Sequence, residues 1–176
     1  MAALICTEKD SPTVYQCSKK TTVKVEVFQK KNVMLLISGL DLSNDDFKPL
    51  SSTYNESTFK SNYEIMWVPI AAVEDAVIKE QFQNKRSQMP WYSCNSIVNK
   101  ASTKFFRKCW QFKQQTKVVV LNQEGKVVNM DAMTMIRLWG SEALPFTQER
   151  GCKLWDGHRN NWLKLVVVAT DLPGFF

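Results

Sequence analysis

Apolar positions along this chain fall into short continuous runs and into stripes spaced by about four residues, and the two kinds alternate. Residues 22–28 (TVKVEVF) alternate apolar and polar, the pattern of a half-buried strand. Residues 33–37 (VMLLI) form a continuous run without alternation, which suits a strand covered on both faces, while 63–69 (YEIMWVP), closed by proline, and 117–121 (KVVVL) read as further strands. After the first of these, Ser38 to Leu42 breaks the run and Ser43 reads as a helix cap. Asp46 stands three residues on as a capping-box partner. A second helix is predicted over 71–86, with Val73, Val77, Ile78 and Phe82 on its apolar stripe. Met89 to Tyr92 is a short extended break. A third helix is predicted over 96–110, with Ile97, Ala101, Phe105 and Cys109 at steps of four. Asn122 to Gly125 then reads as a turn into a strand at 126–128, followed by a helix over 131–139 that Gly140 stops. Residues 142–159 read as irregular or helical and 163–168 as strand-like, while 1–20 show no sustained period and read as a flexible lead-in.

Strands alternating with helices and ending in a hairpin and a helix predict a three-layer α/β fold with a mostly parallel central sheet and a C-terminal β-hairpin. The order is that of a thioredoxin-like domain, placed over residues 22–170 between a lead-in of 1–21 and a tail of 171–176. In that fold the redox cysteines follow a central strand and open the next helix, where helix dipole and free amides lower the thiol pKa. Here that place is Ser38-Gly39-Leu40-Asp41-Leu42-Ser43, without cysteine. The proline expected before the facing strand is replaced by Gln115-Thr116-Lys117. Both parts of the thiol chemistry are missing, and no catalytic residue is assigned.

Other chemistry fails on spacing. Cys6, Cys17, Cys94, Cys109 and Cys152 contain no C-x-x-C pair, and one histidine, His158, leaves no zinc pattern. A calcium loop starting at Asp41 would need glycine and glutamate where Asp46 and Ser52 stand. Gly125-Lys126 lacks the remainder of a P-loop. Cys94 is expected to be an exposed free thiol, and nothing in the sequence joins it to His158 as nucleophile and base. No metal or cofactor is therefore expected. The longest apolar run, residues 65–73, is interrupted by Pro69 and is too short to span a bilayer. With no secretory leader and an odd cysteine count, the expectation is cytoplasmic, without membrane contact.

Charge adds one local feature. The chain has 23 Lys and Arg against 17 Asp and Glu, a net charge of +6. Residues 96–117 hold Lys100, Lys104, Arg107, Lys108, Lys113 and Lys117 and no acid, so they carry the whole excess. Lys100, Lys104, Arg107 and Lys108 share one helix face, either a solvated surface or a docking face for an acidic partner. Aromatic interleaving does not favour nucleic acid, because Phe105 and Trp110 fall on the opposite side.

The stretches that begin at Lys31 (KNVMLLIS), Tyr63 (YEIMWVPI), Met89 (MPWYS), Lys117 (KVVVLNQEGKVVN) and Met135 (MIRLWGSEALPFT) form a recognisable set. Together they resemble the sieve-element occlusion family, the phloem proteins whose filaments, called forisomes in legumes, plug sieve plates after wounding. Within these stretches Met89, Pro90, Trp91, Tyr92, Gly125, Lys126, Trp139 and Gly140 carry the motifs. The Met-Pro-Trp and Gly-Lys-Val pieces alone also fit nucleoredoxin-like thiol oxidoreductases, the alternative reading. The resemblance implies a central thioredoxin-like domain without redox cysteines, a structural role in wound sealing and cytoplasmic residence in sieve elements. It also implies assembly with other family subunits and a calcium response at the level of the assembly. Family members are longer, so the chain is expected to be a fragment, a truncated product or a short member.

Overall fold

The structure is a computed structural model that describes residues 12–71, 75–98, 100–113 and 115–157. The strand predicted at 163–168, His158, Cys6, Val73 and the tail at 171–176 lie outside the described residues. Among the described residues seven strands form one sheet in the order β2-β1-β5-β4-β3-β6-β7. They are β1 (Thr13–Gln16), β2 (Thr21–Lys24), β3 (Asn32–Ser38), β4 (Tyr63–Pro69), β5 (Tyr92–Ser93), β6 (Lys117–Leu121) and β7 (Val127–Asn129). The described helices are α1 (Asn44–Asn55), α2 (Ser57–Asn62), α3 (Ala76–Ser87), α4 (Lys100–Cys109), α5 (Met133–Trp139) and α6 (Gln148–Gly157). The sheet is mixed. Strands β5, β4 and β3 are parallel at its centre, and β1, β2, β6 and β7 add antiparallel pairs at the flanks.

The continuous apolar runs explain the layers. Met34, Leu36, Ile65, Trp67, Val118 and Val120 face a core closed by Leu50 of α1, Phe59 of α2, Phe82 of α3, Ile136 of α5 and Leu154 of α6. Their neighbours Val33, Leu35, Ile37, Met66, Val68, Val119 and Leu121 face a second core under Phe106 and Trp110. Successive side chains of a strand point to opposite faces, so a run without polar positions requires cover on both. The three-layer expectation holds for this reason.

Four local expectations are corrected. Val14 is buried in β1, where the polar composition predicted a flexible lead-in; pairing with both β2 and β5 gives this short segment its order. The alternating stretch at 22–28 is strand only to Lys24, and Val25–Phe28 winds into a 3₁₀ turn that buries Phe28 against Tyr92. Helix α3 starts at Ala76, capped by Asp75, whose Oδ1 accepts from the Ile78 amide at 2.8 Å; Val77 is exposed rather than on the apolar stripe. In α4 the buried row lies one residue beyond the predicted one. Phe106 and Trp110 stack at 5.1 Å, Phe105 is half-buried, and Ala101 and Cys109 are exposed. The larger aromatic area of that row decides which side faces the sheet.

Burial raises the pKa of several groups that titrate in alkali, Tyr54 and Tyr92 among them, and Tyr63 and Cys17 are the two that can be removed most conservatively. The Tyr63 hydroxyl donates to the Pro145 carbonyl, and burial pushes its pKa up to about 12. Burial likewise pushes the Cys17 thiol up to about 11 from its ordinary 9.0. A group whose folded pKa is raised contributes stability that is complete below its unfolded pKa and lost as pH rises through the folded one. The melting temperature is therefore expected to fall between about pH 9 and pH 12. A Cys17→Ala/Tyr63→Phe variant should show a flatter profile by calorimetry; an unchanged slope would contradict the assignment.

Candidate functional site

The place where a thioredoxin-like fold carries its chemistry is the corner between β3 and α1, and here its backbone is intact. Strand β3 ends at Ser38, and the pairing of Ile37 with Lys117 sets Thr116 beside it at the entrance to β6. Ser43 caps α1, its Oγ accepting from the Asp46 amide at 3.2 Å as the sequence predicts. The remainder of the corner is closed by polar contacts. Ser38 Oγ accepts from the Trp67 indole at 2.9 Å and donates to the Gly39 carbonyl at 2.9 Å. Lys85 Nζ donates to the Leu42 carbonyl at 2.7 Å. The Asp41 carboxylate lies over Gly39, an exposed side-chain end that is free to swing away. The second half of the predicted capping box is absent, because the Asp46 carboxylate turns to Arg137 of α5 and forms a largely buried ion pair. Sequence spacing on one helix carried no signal for a partner 91 residues away.

The thiols stand elsewhere. Cys94 is 3% exposed directly after β5, and its amide donates to the Trp67 carbonyl at 2.9 Å, which corrects the expected exposure of this thiol. Cys17 is buried beside Trp91, whereas Cys109 and Cys152 are exposed on α4 and α6. Among the described residues no three His, Cys, Asp or Glu side chains gather as metal ligands, and no helix is long and apolar enough to cross a membrane.

The motif residues divide between core and turns. Met89, Trp91 and Tyr92 are buried and Pro90 is half-buried, with Trp91 lying 5.4 Å from Phe47 and 5.7 Å from Tyr54 of α1. Gly125 takes φ +79° in the turn before β7, where Lys126 pairs with Glu124 at 2.9 Å on the surface. Trp139 packs edge-on against Trp155, and Gly140 ends α5 at φ +51°. These positions build the fold and do not converge on one cavity. Sequence reasoning missed a groove of about 380 Å³ between α5 and α6, lined by Met130, Met135, Cys152 and Trp155 among others. Its lining comes from two short stretches, 129–135 and the α6 face of Gln148, Gly151, Cys152 and Trp155, and only the fold brings the two together. The four basic residues predicted to share a face, Lys100, Lys104, Arg107 and Lys108, are all exposed on α4, opposite buried Phe106.

No family model matches the chain. The Arabidopsis thaliana Protein SIEVE ELEMENT OCCLUSION B is 34% identical over 168 residues, a match to 86% of this chain and 23% of that protein. Protein SIEVE ELEMENT OCCLUSION A of the same plant is 30% identical over 86% of this chain and 18% of that protein. The chain thus spans less than a quarter of the length of these curated relatives. A probable nucleoredoxin 1, also from Arabidopsis thaliana, is 28% identical over 68% of the chain and 20% of that protein. Among solved structures, tryparedoxin II from Crithidia fasciculata matches with a TM-score of 0.62 at 18% identity, covering 79% of this chain and 94% of that one. That likeness shows the thioredoxin-like fold. With both occlusion proteins matching across most of its length, the chain belongs to the sieve element occlusion family.

Proposed function

We propose that the chain is a non-enzymatic, thioredoxin-like structural module that works by assembling with other sieve-element occlusion subunits. Its setting is the cytoplasm of phloem sieve elements, where such assemblies seal sieve plates after wounding and, in legumes, respond to calcium. The carrying observation is the β3–α1 corner: its strand, loop and capped helix remain, yet Ser38 through Ser43 contain no thiol. A nucleophile there would need a cysteine at the helix start, and the described cysteines lie under the core or on α4 and α6. The alternative, a nucleoredoxin-like thiol oxidoreductase, draws on the tryparedoxin likeness and would have to act through exposed Cys109 or Cys152 alone.

Co-assembly tests the proposal. Purified chain mixed with an intact family subunit is expected to enter its assemblies in sedimentation and electron microscopy, with and without calcium, and to show no insulin-reducing turnover. A chain that stays monomeric and is never recruited, or turnover that disappears in Cys109→Ser, would overturn it.

A further inference from the structure

Helix α4 breaks two local rules without compensation in the described structure. Lys100 stands in its first turn, where the macrodipole favours acids, and that turn contains no acid. Lys100, Lys104 and Lys108 follow one another at steps of four, a spacing at which like charges repel. Among the described residues no acid lies within ion-pair distance of these lysines or of Arg107. All four side chains are exposed, while the opposite row, Phe106 and Trp110, anchors the helix to the sheet. An unfavourable charge arrangement on a firmly packed helix is the kind of local conflict that a sequence keeps for binding.

We propose that this face of α4 docks an acidic polypeptide, in its simplest form a helix bearing carboxylates at the same three- and four-residue spacing. The four charges lie within about 12 Å of helix length, because each residue rises about 1.5 Å. A carboxylate-bearing helix laid alongside meets them one for one. A second copy of the chain is a poor occupant. Outside 96–117 the positive and negative residues are equal in number, so a copy brings no acidic surplus and carries the same +6. Single-stranded nucleic acid is disfavoured because the helix's own aromatics, which would have to stack on bases, are turned into the core. The proposal concerns which surface binds and what chemistry it selects, and it stands independently of assembly with family subunits.

The test uses the whole chain and poly-L-glutamate as the acidic probe, read by calorimetry and fluorescence anisotropy. Lys100→Glu/Lys104→Glu/Arg107→Glu is expected to weaken binding by about tenfold or more with a melting temperature that is not lowered, since acids in the first turn suit the helix dipole. An equal charge change at exposed Lys19, Lys20 and Lys24 is expected to leave binding within about twofold, as rim charges away from the contact do. Binding should also disappear near 1 M salt, where the screening length falls to about 3 Å. Equal losses in the two variants would reduce the effect to net charge and overturn the proposal. So would tighter binding of duplex DNA or of phosphatidylserine vesicles through the same α4 residues. If the α4 variant loses poly-L-glutamate but still joins assemblies of an intact family subunit, the docking face stands and assembly proceeds through another surface. If neither variant nor parent is recruited, only the reading as an assembly module fails.

Discussion

Replacing Trp67 with alanine is expected to remove about 3–5 kcal/mol of stability, a large share of what a domain of this size holds. Trp67 is fully buried on β4, at the centre of the sheet, between β3 and β5. Its ring lies 5.5 Å from Phe82 of α3, and its indole N–H satisfies Ser38 Oγ at the end of β3. One side chain therefore joins a strand, a helix and the corner that replaces the redox site. Trp67→Phe keeps most of the packing and loses the hydrogen bond, so its cost should be smaller, about 1–3 kcal/mol. Trp155→Ala, at a tryptophan 39% exposed on α6, serves as the comparison and should cost least. Urea unfolding followed by far-ultraviolet circular dichroism gives the order directly. If Trp67→Ala costs no more than Trp155→Ala, the corner is not held by this residue.

Legibility in the sequence followed the range of the interaction. The runs at 33–37, 65–68 and 118–121 are readable because burial on both faces leaves no polar position within them, and that signature lies entirely within a few consecutive residues. Ser43 was readable as a cap for the same reason, since its partner amide is three residues away. The row of α4 that faces the sheet was not. Ala101–Phe105–Cys109 and Ser102–Phe106–Trp110 are both four-residue stripes, and only the sheet beneath selects the one with two large rings. Cys94 follows the short extended break at 89–92 and reads as exposed, but a backbone bond to Trp67 on β4 holds it in the core that Phe106 covers. The missing thiols of the β3–α1 corner, by contrast, were a fact of composition once the strand and cap had been placed. The basic face was legible for a similar reason: one helix supplies all its members, and their mutual spacing is fixed by the chain.

The Asp46–Arg137 pair is the feature most distant from any sequence signal, and the second large effect is expected there. Asp46 in the first turn of α1 and Arg137 in the last turn of α5 are 8% and 13% exposed in their side chains. Removing one partner leaves the other charged and nearly dry, so Arg137→Met and Asp46→Leu should each cost about 3–5 kcal/mol. The double variant should recover much of that loss, because a buried ion pair gives up hydration that its own attraction only partly returns. Arg137 favours this outcome for a further reason. Its Nε is buried with no hydrogen-bond partner, so the guanidinium in the native fold already carries an unmet donor. A double-mutant cycle by urea unfolding should therefore give a coupling of about 2 kcal/mol or more between the two sites. Losses that simply add would mean that Asp46 and Arg137 act separately, Asp46 through the helix dipole and Arg137 through packing of its stem. Coupling would instead identify the pair as the clasp between α1 and α5 that holds the corner helix in place.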